Sequence, residues 1–381
     1  MMKRDFYWMA RLLSVTFTLF LSLSVLWANP VGKDEALAKA RQFYSSRGHV
    51  LKAGKLRQVP RAVNVSTAME NDCFYVFTAG AEEGFVIISG DDRTEPVLGY
   101  SDSGTFDADD IPSNMKVWLD GYAKQIGTLQ KYSNDDPTAV SSHGWGMPAK
   151  LPTHAAVAPL VTSKWDQDDP YNMKCPVFFD ESKYGRTVTG CGATAIAQVM
   201  YYHKHPASTT QKIPGYTCKR DWKDYLKAST SQYITVPDVA VTKLDWNNML
   251  DTYTGSETAT QKNAVATLML ACGAALEMDY GIADEGGSSS FSSNLKKAFT
   301  TYFDYDKSMR YVLRDDYTAT EWDQVIYAEI AARRPVCYTG QSAGGGHAFV
   351  VDGYDGNGYY HVNWGWSGSD NGYFLLSILN R

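Results

Sequence analysis

The chain has 381 residues, 44% hydrophobic and 20% charged, which is enough for one large core or two smaller ones. A net charge of −6 with no basic tract offers no electrostatic footprint for nucleic acid, so no nucleic-acid partner is expected. The six cysteines, Cys73, Cys175, Cys191, Cys218, Cys272 and Cys337, are scattered without a C-x-x-C pair, indicating neither a dense disulfide scaffold nor a zinc site, and no metal is expected.

Residues 1–28 read as an export signal. Lys3, Arg4 and Arg11 form a basic front, Leu12 to Leu26 is apolar, and Ala28 stands before a cut, although Leu26 occupies a place where a small residue is preferred. A retained anchor is the alternative. No cysteine follows the apolar run, which argues against lipid attachment, so secretion without stable membrane association after cleavage is expected. Ala36, Leu37, Ala40 and Phe43 then predict an amphipathic helix over 33–47, followed by strand-like runs at 73–78, 84–89 and 96–100. Met115, Trp118, Leu119, Tyr122 and Ile126 recur at helical spacing and predict a helix from Asn114 to Leu129. Asn134 to Pro152 is rich in Asn, Asp, Ser, Gly and Pro, the composition of an accessible linker.

A glycine-flanked cysteine comes next, in Thr189-Gly190-Cys191-Gly192. Ala195, Ile196, Val199 and Met200 predict a helix that begins at Cys191 and ends before Pro206. At a helix N-terminus the unpaired N–H groups and the positive end of the dipole favour a thiolate, the nucleophilic form of cysteine. Gly190 and Gly192 are expected to leave room for a substrate backbone. The alternative is a buried structural cysteine. Further on, Tyr280 to Ser290 reads as a flexible loop.

Near the C-terminal end, Gly344-Gly345-Gly346-His347 opens a β-rich run, and Asp355-Gly356-Asn357-Gly358 turns it into a hairpin whose return strand carries His361 and Asn363. His347 is therefore expected to meet Asn363, whose amide oxygen would accept the second ring N–H and aim the imidazole at Cys191. His361 shares the strand and face of Asn363; it ranks second as a base, with a hydrogen-bonded structural role expected.

These residues resemble the streptopain family of bacterial cysteine peptidases, within the papain-like group. The resemblance covers Thr189-Gly190-Cys191 and its Ala-Thr-Ala-rich helix, Gly345-Gly346-His347-Ala348-Phe349-Val350, His361-Val362-Asn363-Trp364-Gly365-Trp366, and Trp165-Asp166-Gln167 with Pro170-Tyr171-Asn172 upstream. It extends into Gly84 to Arg93 and Val97 to Ser101, which are similar to the family's propeptide. It implies Cys191 as nucleophile and His347 as general base. Asn363 and Trp364 would orient and shield the imidazole, with Gln167 in the oxyanion hole. A loop in this family borders the cleft, which makes Gly286, Ser288 and Gly346 candidate contacts to substrate backbone. No cofactor is implied.

The fold expected is α+β: a papain-like catalytic domain over 146–381, with a helical part facing an antiparallel sheet or open barrel, preceded by a small α+β prodomain over 29–145 lying over the cleft. Its partners would be protein or peptide substrates and its own prodomain. Hydrolysis of internal peptide bonds is the expected activity, with an apolar residue one place before the cleaved residue, as the family prefers. A secreted cysteine amidase, a non-catalytic host-protein binder and a protease inhibitor are the alternatives, the last set against by the intact nucleophile, base and orienter.

Overall fold

A computed structural model describes residues 30–48, 65–79, 83–133, 153–177, 185–222, 230–283, 286–342 and 345–379. The expected leader over residues 1–28 and the linker from Asn134 to Pro152 lie outside the described residues.

Helix α1 (Lys33–Gly48) opens on Asp34 and Glu35 and closes on Arg47, charges that complement its dipole, and it buries Ala36 and Ala40 against a sheet. That sheet begins as an antiparallel meander of β1 (Val65–Glu70), β2 (Phe74–Ala79), β3 (Phe85–Ser89) and β4 (Val97–Ser101). The last three are the expected strand runs. β1 gives no such signal, since Ser66, Thr67, Ala68 and Glu70 lack apolar alternation, and its place at the sheet edge asks for little. Helix α2 (Ser113–Ser133) outruns its predicted end by a turn and buries Met115, Leu119, Tyr122 and Ile126.

The second half holds the helices α3 (Cys191–His203), α4 (Ala259–Ala275), α5 (Asn294–Tyr302) and α6 (Ala319–Ala331), with a separate hairpin of β5 (Tyr216–Trp222) and β6 (Thr230–Val236). Capping boxes Thr258–Gln261 and Thr318–Glu321 fix the starts of α4 and α6, each worth about 1 kcal/mol. Four strands close the chain: β7 (Val336–Ser342), β8 (Gly345–Tyr354), β9 (Tyr360–Asn363) and β10 (Gly372–Phe374).

The two halves share one sheet. Its order is β1-β2-β3-β4-β10-β9-β8-β7, antiparallel throughout, so the meander fuses to the C-terminal strands where Tyr373 faces Tyr100 and Phe374 faces Gly99. Gly99 permits this junction, because a Cβ there would lie 2.5 Å from the Phe374 ring.

The two faces of β8 feed different cores. Ala348 and Val350 point to the helical core around α3 and α4, with Trp165, Ile196 and Leu268. Phe349 and Val351 point the other way, onto α2 and α6, with Met115, Tyr122, Trp322, Trp364 and Phe374. This period-two alternation decides which side each candidate residue faces.

Candidate active site

Cys191 is the first residue of α3, where the sequence places it. Gly190 before it has φ +87°, a left-handed backbone that glycine adopts without strain. Room for substrate is not what its missing Cβ provides. A Cβ on Gly190 would meet Met278 Sδ at 2.7 Å and the Ser288 carbonyl at 3.1 Å, and one on Gly192 would meet Ser290 Oγ at 3.1 Å. Both glycines therefore let Met278, Ser288 and Ser290 close against the helix tip, which corrects the expectation drawn from their flanking positions.

The thiol is half-buried and receives the backbone N–H of Ala348 at 3.3 Å. Burial pushes its pKa up, and the N–H groups of Ala348, Gly192 and Cys191 itself pull in the opposite direction without reversing the shift. The helix tip thus favours a thiolate, as argued from sequence, but desolvation outweighs it in this state. Cys175 and Cys337 are pushed up by burial to about 12, and all six cysteines are free.

His347 is the third residue of β8, one residue from the amide that touches the sulfur. It is half-buried, burial lowers its pKa, and no hydrogen bond joins it to Cys191 or to Asn363 among the described residues. Strand alternation explains both absences. Residue 347 shares the Phe349 and Val351 face, whereas Ala348, beside the sulfur, shares the opposite one. Asn363 stands opposite Val350 rather than His347, and so looks toward α3. There its amide oxygen accepts from the Gly365 N–H at 3.0 Å and the Gln198 amide at 3.3 Å, and its amide nitrogen donates to the Ser163 carbonyl at 2.8 Å. The hydrogen bond expected between His347 and Asn363 is not made here, because the hairpin register sets them three residues apart on opposite faces.

Trp364 is buried on the His347 face, against Phe349 at 4.9 Å between ring centroids, with its indole N–H on the Asp370 carbonyl. His361 holds Asp352 at 2.5 Å, and that buried carboxylate also accepts the Val161 N–H, so His361 has the structural partner expected of it. Gln167 is anchored by its backbone carbonyl, which accepts from Thr189 N–H at 3.0 Å two residues before Cys191. Its side-chain amide makes no hydrogen bond among the described residues although the residue is largely buried, leaving donors for a ligand. Gly286 and Gly346 are exposed. The Ser288 hydroxyl is committed to Val188 at 2.6 Å and Gly281, so only its backbone is available to a substrate.

One participant was missed from sequence. Asn114, second residue of α2, is buried 234 and 250 residues away from the carbonyls its amide reaches: Ala348 at 3.4 Å and Trp364 at 2.5 Å. It thus grips the backbone directly after His347 and at Trp364. Within the predicted helix it carried no distinguishing signal beyond being a polar residue at a helix start.

A thiol at a helix tip and a histidine on a neighbouring strand, on helices packed against an antiparallel sheet, match the architecture of a papain-like cysteine endopeptidase. Here it is joined to a prodomain. Residues 165–374 match the peptidase C10 family, and residues 28–126 match the Spi protease inhibitor family. The chain is 33% identical to streptopain of Streptococcus pyogenes, over 93% of this chain and 88% of that one. It is 30% identical to the thiol protease/hemagglutinin PrtT of Porphyromonas gingivalis, over all of this chain and 42% of that protein. Among solved structures, prointerpain A of Prevotella intermedia superposes with a TM-score of 0.67 at 32% identity, covering 83% of this chain and 93% of that one. The protein belongs to the peptidase C10 family, as a streptopain-like cysteine peptidase zymogen.

Proposed function

We propose that the protein is a secreted endopeptidase whose described form is the latent one, with Cys191 as nucleophile and His347 as proton carrier. The observation that carries this is the Ala348 N–H on the Cys191 sulfur. It supports the reading because strand alternation then leaves the neighbouring imidazole one strand-face reversal from the thiol, while burial raises one pKa and lowers the other, favouring the neutral form of both. Release of the 345–347 segment would turn His347 toward Cys191 and allow a thiolate–imidazolium pair.

In the reaction, the sulfur attacks the substrate carbonyl, and the carbonyl π electrons move to oxygen. The oxyanion is held by the Cys191 N–H and the unpartnered Gln167 amide, worth about 2.7–4 kcal/mol for one donor. His347 protonates the leaving amine as the C–N bond breaks, leaving a thioester, and then takes a proton from the water that hydrolyses it. Trp364 shields the imidazole; Asn363 would act as orienter only after the reversal. Gly286, Gly346 and the Ser288 backbone line the approach of an extended substrate, with an apolar residue preferred one place before the cleaved residue.

Residues 1–28 would direct export, 29–145 form the prodomain and 146–381 the peptidase, with proteolysis in the 134–152 linker. The prodomain's part is carried by Asn114, which holds the β8 backbone from the far side of the sheet. Mass spectrometry after treating the matured protein with a thiol-directed peptidyl epoxide tests the assignment: an adduct at Cys191, lost in His347→Ala, is expected. An adduct elsewhere, or one indifferent to His347, would overturn it.

A further inference from the structure

Away from the thiol, the sheet ends in an open edge. β7 pairs with β8 on one side and with no strand on the other among the described residues, so its alternate backbone N–H and C=O groups face outward. That edge is not bare surface. It forms one wall of a cavity of about 510 Å³, to which Pro335 to Thr339 contribute, and whose other walls come from α5, α6 and the 305–314 segment. The volume lies within the range of sites that hold a ligand.

The lining is apolar with a biased charge. Leu295, Phe299, Met309 and Ile326 give it an apolar interior, and Tyr311 and Leu313, 42% and 51% exposed, leave large apolar groups at its rim. Asp306 is occupied with the Ser308 N–H and Glu329 with Arg334, whereas the side chains of Lys296 and Arg310 have neither a carboxylate nor a hydrogen-bond partner among the described residues. The Tyr305 hydroxyl, also in the lining, is buried with its hydrogen-bonding capacity unused. An unpaired strand edge, apolar walls and two unanswered cations ask for one kind of occupant. A compact apolar molecule would leave the edge amides and both cations unmet, and a basic chain would be repelled.

We propose that the β7 edge is a docking groove for an extended peptide segment that alternates aliphatic and acidic side chains. The segment adds to the sheet as a ninth strand through main-chain hydrogen bonds, sets its aliphatic side chains in the cavity and lays its carboxylates on Lys296 and Arg310. Val199 of α3 also lines the cavity, and Cys337 in its wall pairs with Val350 of β8, so an occupant would touch both elements that carry the site. The inference needs no step of the proposed hydrolysis.

The test uses the full chain with Cys191→Ala, which prevents cleavage, and fluorescence polarisation of a labelled peptide alternating leucine and glutamate. Saturable binding is expected, weakened roughly tenfold by Arg310→Glu or Lys296→Glu. The same loss is expected when lysine replaces glutamate in the peptide, or when its alternate backbone nitrogens are methylated. These peptide changes keep the test sound even where a protein variant misfolds. Absence of saturable binding would overturn the proposal, as would equal binding of the lysine peptide. Equal binding of the methylated peptide, with displacement by decanoate, would assign the cavity to a compact amphiphile instead. Displacement by a ligand of the Cys191 cleft would place the peptide there and equally refute the groove.

Discussion

The tip of α3 and the mouth of β8 carry the two groups proposed to react, and they are in opposite states. At the helix tip everything is set: Gly190 and Gly192 are closed on by Met278 and Ser290, Ser288 is pinned to Val188, and the Gln167 carbonyl holds Thr189. At the strand mouth Gly346 is uncrowded, its imagined Cβ meeting nothing nearer than 3.8 Å among the described residues, and His347 lies on the face turned from the sulfur. The difference teaches where the proposed latency would reside. The proposed nucleophile is built by packing that maturation need not disturb, while the proposed proton carrier follows Gly345 and Gly346 and precedes the Ala348 carbonyl that Asn114 holds.

The comparison can be broken most severely at its chemical pole. Cys191→Ala should remove peptide hydrolysis, a loss of roughly 10⁴-fold or more, with the melting temperature nearly unchanged. Residual turnover measured by peptide release, above that level, would mean another nucleophile. Gln167→Ala should lower kcat by about 10²–10³-fold with little change in KM, since its amide is spent on no protein group and would act only on the oxyanion. A change confined to KM would make it a ground-state contact.

The holding contact is tested by Asn114→Ala. Leaving the Ala348 and Trp364 carbonyls unmet should destabilise the full chain by about 1–3 kcal/mol in urea unfolding, and free the strand mouth. Iodoacetamide should then alkylate Cys191 at lower pH than in the unaltered chain, where burial holds the thiol above its ordinary value. An unchanged alkylation profile would move latency elsewhere.

The smallest effect concerns the seam between the halves. Asp370, beside Asp107 and Asp110 of the prodomain, is pushed up to about 7, chiefly by burial and then by those two carboxylates. A raised carboxyl means the folded state binds the proton more tightly than the unfolded one. Its contribution is therefore complete below the ordinary value of 3.8 and is lost as pH rises toward 7. Thermal melts from pH 4 to 8 should show a decline that Asp370→Asn flattens; an identical slope in the variant would exclude this group.

Cys191 and its helix were legible because three-to-four-residue apolar spacing and a glycine-flanked start are local signals, and the His347 hairpin because Asp355-Gly356-Asn357-Gly358 is strong turn chemistry. The register of that hairpin was not, since a shift along β9 changes which face each side chain takes while the sequence looks the same. Asn114 was invisible for a related reason: its partners are backbone carbonyls more than 230 residues away, and backbone leaves no mark in sequence.

By itself the sequence determined the family, the two-part order of the chain, the candidate residues for the chemistry and the elements that carry them, all of which rest on short-range spacing and side-chain type. Only the tertiary structure decided that the halves share one sheet across β4 and β10, that His347 faces away from Cys191, and that burial overrules the helix tip in setting the thiol's charge. Register, strand face and desolvation depend on which distant segments come to rest against one another.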